Sequence, residues 1–472
     1  MGNPPTGKAP EKPHAPHCTF TAISMPLKPL AARRCILRDA GELARLDPRN
    51  GRGGGTEAYN TMVHPRLEHQ SAAPASAPIL GAAVLAKALA GLLISGLLMA
   101  LPGALLPVWR HHLDSNYLLA GAYFLVQNLG ILLSPFWARR LLRRHGLPFC
   151  MSLASAMAAA ALVLISLFSP PFPWDHWGGR LGGLLLAGSA AGLMNMSVFR
   201  AASPAYQTQP AATFNLGGMF WGVGCLLSAL IVSGNFYVES VPVMGILLVV
   251  LPLVSCILYA RTKLPNPVPH VPIGWREVGR DLRSPSALLL ALLLFFQFGN
   301  EGAISGWLAL FLTQKLGLSP GGSVFLLALF WFALLAGRIL AQILLPRIRH
   351  GRILFYSVLT GMFGCLVLTF TNNLFGAVSG ILLCGFAFSA VLPLTAERIW
   401  SRFPFFHPGF FNGVFSIALT GGFLAPASIG LYAYWLGINV VMAVPLFGSI
   451  MVLTVVLLML LQARFNAAEK QA

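Results

Sequence analysis

Of the 14 Asp and Glu in this chain, Glu301 alone falls in the middle of a long apolar run, LLLALLLFFQFGNEGAISGWLALFL from Leu288 to Leu312. At roughly 1.5 Å per residue it lies about 24 Å along a helix starting near Pro285. That is near or just past the midplane of a hydrocarbon layer about 30 Å thick. A carboxyl there costs at least about 2.5 kcal/mol, so it faces a bundle interior or a water-filled cavity. Gln297, Glu301 and Ser305 follow at i, i+4 and i+8, with Asn300 and Ile304 alongside, which makes one polar stripe on a helix. Such a carboxyl can take and release a proton or accept hydrogen bonds from a polar solute. The plainer alternative is a tie to a neighbouring helix. Trp307, nearly two turns beyond Glu301, either stacks on a sugar ring or anchors in the aromatic belt at the membrane surface.

Other polar groups inside apolar runs are Gln127 and Asn128, Asn195, Asn215 and Asn412. Asn128 and Asn195 are candidate substrate contacts, and each also reads as an interhelical hydrogen bond. Asn215 and Asn412 lie near run ends, which suits a gate or a helix start. Lys87 is close enough to a run's start to snorkel to the surface. Arg200 and the pair Glu397/Arg398 end their runs and read as gate pairs or interface anchors. His111, His112, His145 and His350 sit at run ends without metal-ligand spacing. The seven Cys are isolated, with no CxxC-type pair, so neither a disulfide framework nor a zinc site is expected. There is no P-loop, HExxH or GxSxG motif and no pair of acids placed for general acid/base work. An enzyme, an ATP-driven pump and a bound cofactor are therefore not expected.

The elements that position these residues follow from composition. The chain is 56% hydrophobic and only 10% charged, against about 25% charged in soluble domains. It reads as a multi-pass membrane protein of a plasma or bacterial inner membrane. The net charge of +18 does not signal nucleic acid, because the basic residues lie in the N-terminal segment and in short connections. Residues 1–77 read as a disordered basic tail, or as the product of a start assigned too early, with Met62 the alternative. Twelve apolar runs follow: 79–106, 116–138, 148–168, 179–200, 211–234, 241–260, 286–313, 321–345, 353–371, 374–396, 409–434 and 437–462. The Pro-rich, charged segment 261–285 separates two sets of six, over 78–260 and 286–463, and 464–472 forms a short tail. Even-numbered connections hold fifteen Lys and Arg, from Arg139 to Arg402, and odd-numbered ones hold three: Arg110, Arg180 and Lys315. The positive-inside rule then places both termini in the cytoplasm.

The two sets echo each other. GILLSPFWARRLLRRHG (130–146) is matched by AGRILAQILLPRIRHGR (336–352), and FNLGG (214–218) by FNGVF (411–415). Duplicated halves with a site between them near the midplane are a transporter pattern. Twelve runs with this motif resemble the major facilitator superfamily. Gly130, Ser134, Arg139 and Arg140 stand where that family's helix 2–3 motif has Gly, Asp and Gly-Arg-Arg, and Gly337 and Arg338 match the second-half counterpart. The resemblance implies a gating role for these residues, although Ser134 replaces the usual acid and Ala138 the second Gly. Within the family, FGNEGAISGWLALFL (298–312) and NGVFSIALTGGFLAPASIGLYA (412–433), with Gly421, Gly422 and Pro426, are similar to helices 7 and 11 of fucose-permease-like proton symporters. Those symporters keep an acid in helix 1, where this chain has Lys87.

The expectation is thus an all-α transporter of two six-helix bundles, working as a monomer by alternating access. Its site would be lined by Gln297, Asn300, Glu301, Trp307, Asn128 and Asn195, with Glu301 as the proton-coupling group. The resemblance implies a small polar, sugar-like solute. Proton-coupled efflux of amphipathic compounds, which the Phe-rich eighth and eleventh runs would suit, is one alternative. A non-transporting receptor or scaffold is another.

Overall fold

Each apolar run is satisfied as helix, because a chain in hydrocarbon must pair its own backbone polar groups. The computed structural model describes residues 81–112, 116–170, 176–235, 241–264, 283–344, 350–402 and 408–469. The N-terminal segment and most of the 261–285 connection lie outside the described residues. Every described element is helical: α1 (Ala82–Leu89), α2 (Gly91–His112), α3 (Tyr117–Leu167), α4 (Trp177–Ala201), α5 (Ser203–Thr208), α6 (Pro210–Asn235) and α7 (Val241–Arg261). The second half holds α8 (Pro285–Leu316), α9 (Pro320–Leu344), α10 (His350–Phe370), α11 (Leu374–Arg402), α12 (Pro408–Leu436) and α13 (Ala443–Glu469), with a 3-10 turn at Ile438–Val440.

Among the described residues, 11 helices are long and apolar enough to cross a membrane. One of them, α3, has 51 residues, about 77 Å if straight and more than twice the hydrocarbon thickness. Gly146 interrupts it at φ 81° and ψ 178°. That backbone conformation is open to glycine at no steric cost, and Pro148 follows in the first turn of the next arm, where its missing N–H costs nothing. Helix α8 is delimited by local chemistry. Ser284 caps its first turn by accepting from Ala287 N at 3.3 Å, Pro285 opens it, and Gly317 closes it at φ 65° in the left-handed region.

Small residues set the helix spacing, as expected where lipid gives no hydrophobic drive between helices. A Cβ on Gly130 of α3 would lie 2.4 Å from the Leu185 carbonyl of α4, and one on Gly188 would lie 1.8 Å from the Gln127 carbonyl. The second half repeats this contact between α9 and α11. There a Cβ on Gly337 would meet Ser389 Oγ at 2.4 Å and one on Gly385 the Phe330 carbonyl at 2.8 Å. The sequence echo is therefore also a packing echo. Large apolar side chains point outward, Phe136 at 82% and Phe375 at 83% exposure. That surface suits lipid, and the chain is a multi-pass integral membrane protein.

Candidate functional site

The stripe on α8 is split by its neighbours. Gln297 and Glu301 are both buried, and Gln297 Nε2 donates to Glu301 Oε1 at 3.1 Å. Asn300 points elsewhere, its amide within 3.2 Å of Ser449 Oγ and, with the amide turned over, of Pro445 O and Ser449 N as well. It ties α8 to α13, where Gly448 leaves room for it. Asn300 is thus used in helix packing. Its direction follows from the helix, since it lies about 100° around the axis from Glu301.

Trp307 is fully buried and is no surface anchor. Its indole Nε1 donates to Pro426 O of α12 at 2.8 Å, and its ring packs against Phe124 at 6.0 Å and Tyr117 at 6.5 Å, both on α3. More contacts join the two halves at this end of the bundle. Tyr117 Oη donates to Gln314 Oε1 at 2.6 Å, Ser233 Oγ donates to Gly321 O at 2.8 Å, and Gly121 packs on Gly430. Gly103 of α2 sits against the Ser305 carbonyl, 2.0 Å from where its Cβ would be. This end is closed across the halves. Arg180, counted in the sequence as a connection charge, is buried here with its guanidinium 5.5 Å from the Trp109 ring and 5.7 Å from that of Tyr123.

The opposite end carries the exposed Arg139, Arg140, Arg143 and Arg144 and is called the basic end below. Gly130 and Ser134, matched to the gating motif, pack inside the first half. Ser134 Oγ donates to Ile131 O at 2.7 Å and lies where a Cβ on Gly192 would fall. Arg139 and Arg140 are surface charges. Arg338 is the exception to its motif: the sequence comparison put it beside Gly337 as a gating residue near a run's end, yet it is 2% exposed and directed into the bundle. One helical position separates the two, so Gly337 faces α11 while Arg338 faces α6 and α8. Its guanidinium rests over Gly218 of α6, where a Cβ would lie 1.2 Å from Nη1. Its carbonyl accepts from Asn215 Nδ2 at 3.2 Å, and the same amide donates to Gln342 Oε1 at 2.8 Å. Asn215 therefore does join the halves at the basic end.

Of the remaining sequence candidates, Asn128 Nδ2 donates to its own helix at Phe124 O, 2.9 Å away, and its neighbour Gln127 donates to Leu98 O of α2 at 2.6 Å. Asn195 is half-buried, with Oδ1 enclosed and without a partner. Lys87 is exposed and Glu397 pairs with His350 at 2.9 Å. The side chain of Asn412 lies outside the described residues.

The comparisons with known proteins agree with this architecture. The family model described as Major Facilitator Superfamily matches residues 211–426. The solved structure of FucP, a major facilitator superfamily transporter in the outward conformation, superposes with a TM-score of 0.55 at 16% identity, covering 79% of this chain and 97% of its own. By family-model match and by fold, the chain resembles the major facilitator superfamily of transporters. An uncharacterized MFS-type transporter of Yersinia pestis is 23% identical over 349 residues, 72% of this chain and 86% of that protein. An uncharacterized transporter of Sinorhizobium fredii is 23% identical over 329 residues, 66% of this chain and 80% of its own length. The interior of this helical bundle gathers Gln297, Glu301 and Arg338. The sequence missed the inward direction of Arg338, which hydropathy averages away. A count of charges inside runs would have found it.

Proposed function

We propose that this secondary transporter moves a small polar solute by alternating access, with Glu301 as the group that gains and loses a proton during the cycle. The reading takes the chain as twelve crossings, counting the two arms of α3 separately, in two six-helix bundles with both termini cytoplasmic. The basic end is then the cytoplasmic side, and the closed end, with Trp307 at its centre, is the outer gate. In this state Asn128, Asn195 and Asn300 are wall and packing residues rather than first contacts of the solute.

One observation carries the reading. Glu301 is the one buried acid among the described residues, and it is held by Gln297 rather than by an ion pair. A carboxyl kept at that depth without a fixed cationic contact is an expensive group for a purely static role. Efflux of amphipathic compounds is less well supported, because Phe325 and Phe332 of α9 face outward at 56% and 55% exposure instead of lining the interior. The test is flux in proteoliposomes with and without an imposed pH gradient, comparing the wild type with Glu301→Gln. Gradient-driven accumulation should be lost in the variant while gradient-free exchange persists. Unchanged rate and unchanged pH dependence would refute the role given to Glu301.

A further inference from the structure

We propose that the solute carries a carboxylate, that Arg338 is the group that binds it, and that Glu301 takes up one proton as it arrives. The inference rests on the reading of this interior as the transport site and names the substrate class for it.

Charge inside the bundle is scarce. The described acids other than Glu301 lie at helix ends, and within α9 the only basic residue is Arg338. Helices α8 and α9 run in opposite directions, and helical side chains lean toward the N-terminus of their own helix. Arg338, near the basic end of α9, thus leans back toward the middle, while Glu301, mid-way along α8, leans toward the basic end. The two converge and feel each other's charge, together with the Cys225 thiol of α6. They do not meet in an ion pair: Nε and Nη1 of Arg338 are enclosed with no acceptor.

The donors outnumber the acceptors. Two turns toward the membrane centre on the same face of α9, the buried Trp331 Nε1 also lacks a partner. Glu301 Oε1 is already engaged by Gln297. Buried donors without acceptors are uncommon and call for a missing partner. A hydroxyl would bring a donor with each acceptor and no charge. A carboxylate brings acceptors only, a negative charge, and the planar geometry that a guanidinium matches. The bare Gly218 face under the guanidinium and the Asn215 bond to the Arg338 carbonyl hold this cation in place.

Charge balance then gives the coupling. Without solute, ionised Glu301 offsets Arg338. A bound carboxylate replaces it as the counter-charge, and Glu301 accepts a proton from water, so one proton and one carboxylate travel together with no net charge moved. The groups that bear on Glu301 from packed helices are Arg338 of α9 and the Cys225 thiol of α6, with Gln297 on its own helix. Helices α2, α11, α12 and α13 have no charged residue except near their ends.

The experiment uses the full-length protein and matched probe pairs, lactate with lactamide and gluconate with glucose. Thermal stabilisation is read in detergent, and proton entry with a pH dye sealed inside proteoliposomes. Expected are stabilisation by at least one acid but not its neutral partner, proton entry with that acid, affinity at least tenfold weaker in Arg338→Gln, and partial rescue in Arg338→Lys. If Arg338→Gln does not fold, Gly218→Ala, which displaces the guanidinium without removing it, takes its place. Equal stabilisation by acid and neutral partner, full affinity in the variants, or no response to either acid overturns the inference. Neutral-solute flux that depends on Glu301 but not on Arg338 overturns it while leaving the transport reading intact. Absence of flux for acids and neutral solutes alike overturns that reading.

Discussion

Gly218→Ala separates binding from folding at the proposed anion site. The added Cβ would lie 1.2 Å from Nη1 and 2.4 Å from Cζ of Arg338. Non-bonded atoms settle near 3.5–4.0 Å, so the guanidinium must retreat by roughly 2 Å. The obstructed group is the end of a flexible side chain, and the helices need not part. In a helix interior Ala is favoured over Gly by about 0.8–1.0 kcal/mol, so the melting temperature should hold or rise. What is lost is a hydrogen bond to a charged partner, worth about 1.5–3 kcal/mol. That corresponds to a Kd weaker by about tenfold to 150-fold. Titration calorimetry with the tightest carboxylate probe would measure this against Gly234→Ala, whose Cβ meets nothing within 4 Å. Wild-type affinity in Gly218→Ala would refute the placement of the anion at Arg338. Equal losses in both variants would mean a general effect on α6.

Trp307→Phe keeps an aromatic ring but removes the 2.8 Å bond to Pro426 O and leaves the space of the indole's second ring empty. Interhelical bonds in membranes average about 0.6 kcal/mol and reach about 1.7, and the void adds to that, so equilibrium unfolding in mixed micelles should show a loss of at least about 0.6 kcal/mol. Tyr117→Phe removes the bond to Gln314 and should shift the closed end toward opening by about threefold, read as faster labelling of a cysteine placed at that end. Gly103→Ala would drive a Cβ to 2.0 Å from a backbone carbonyl of α8. It should lower the melting temperature and slow flux, whereas Gly182→Ala, with open space around it, should change neither. Asn215→Ala frees the Arg338 carbonyl and Gln342 and should weaken carboxylate binding by about threefold to twentyfold, less than Arg338→Gln.

Hydropathy made the helices legible because the membrane imposes the same demand on every run, and the charged connections marked their ends. Glu301 was legible for the same reason, as a violation of that demand. Directions around a helix axis were not. Gln297 and Asn300 both neighbour Glu301 in sequence, yet one bonds to it while the other bonds to α13. Only the packing of α8 against α13, with Gly448 making room, decides between them. Arg338 was hidden by its motif. Its partner Gly337 behaves as the repeat predicts, and adjacency suggested that Arg338 would follow. Trp307 had two sequence readings, sugar stacking and a surface anchor. Its contacts with Pro426, Phe124 and Tyr117 depend on three helices meeting at the closed end.

The repeat is kept in the packing and broken in the charges. Gly130 and Gly188 in the first half do what Gly337 and Gly385 do in the second, bringing two helices to backbone contact. The first half's motif charges, Arg139 and Arg140, are surface residues, while the second half turns Arg338 inward and adds Glu301. Both charged groups of the proposed site thus belong to one half, and the other supplies uncharged surface: Gly218, Cys225 and the Asn215 amide. If the halves rock, a solute held by Arg338 and Glu301 stays with the second half while the first slides over it. Affinity would then be set by residues of α8 and α9. The rate of exchange between states would be set by the contacts the first half makes and breaks, Asn215 with Gln342 at one end and Tyr117 with Gln314 at the other. Substitutions at Gln342, Tyr117 or Gln314, which do not touch Arg338, should alter flux with little effect on Kd, in contrast to those at Arg338 and Asn215.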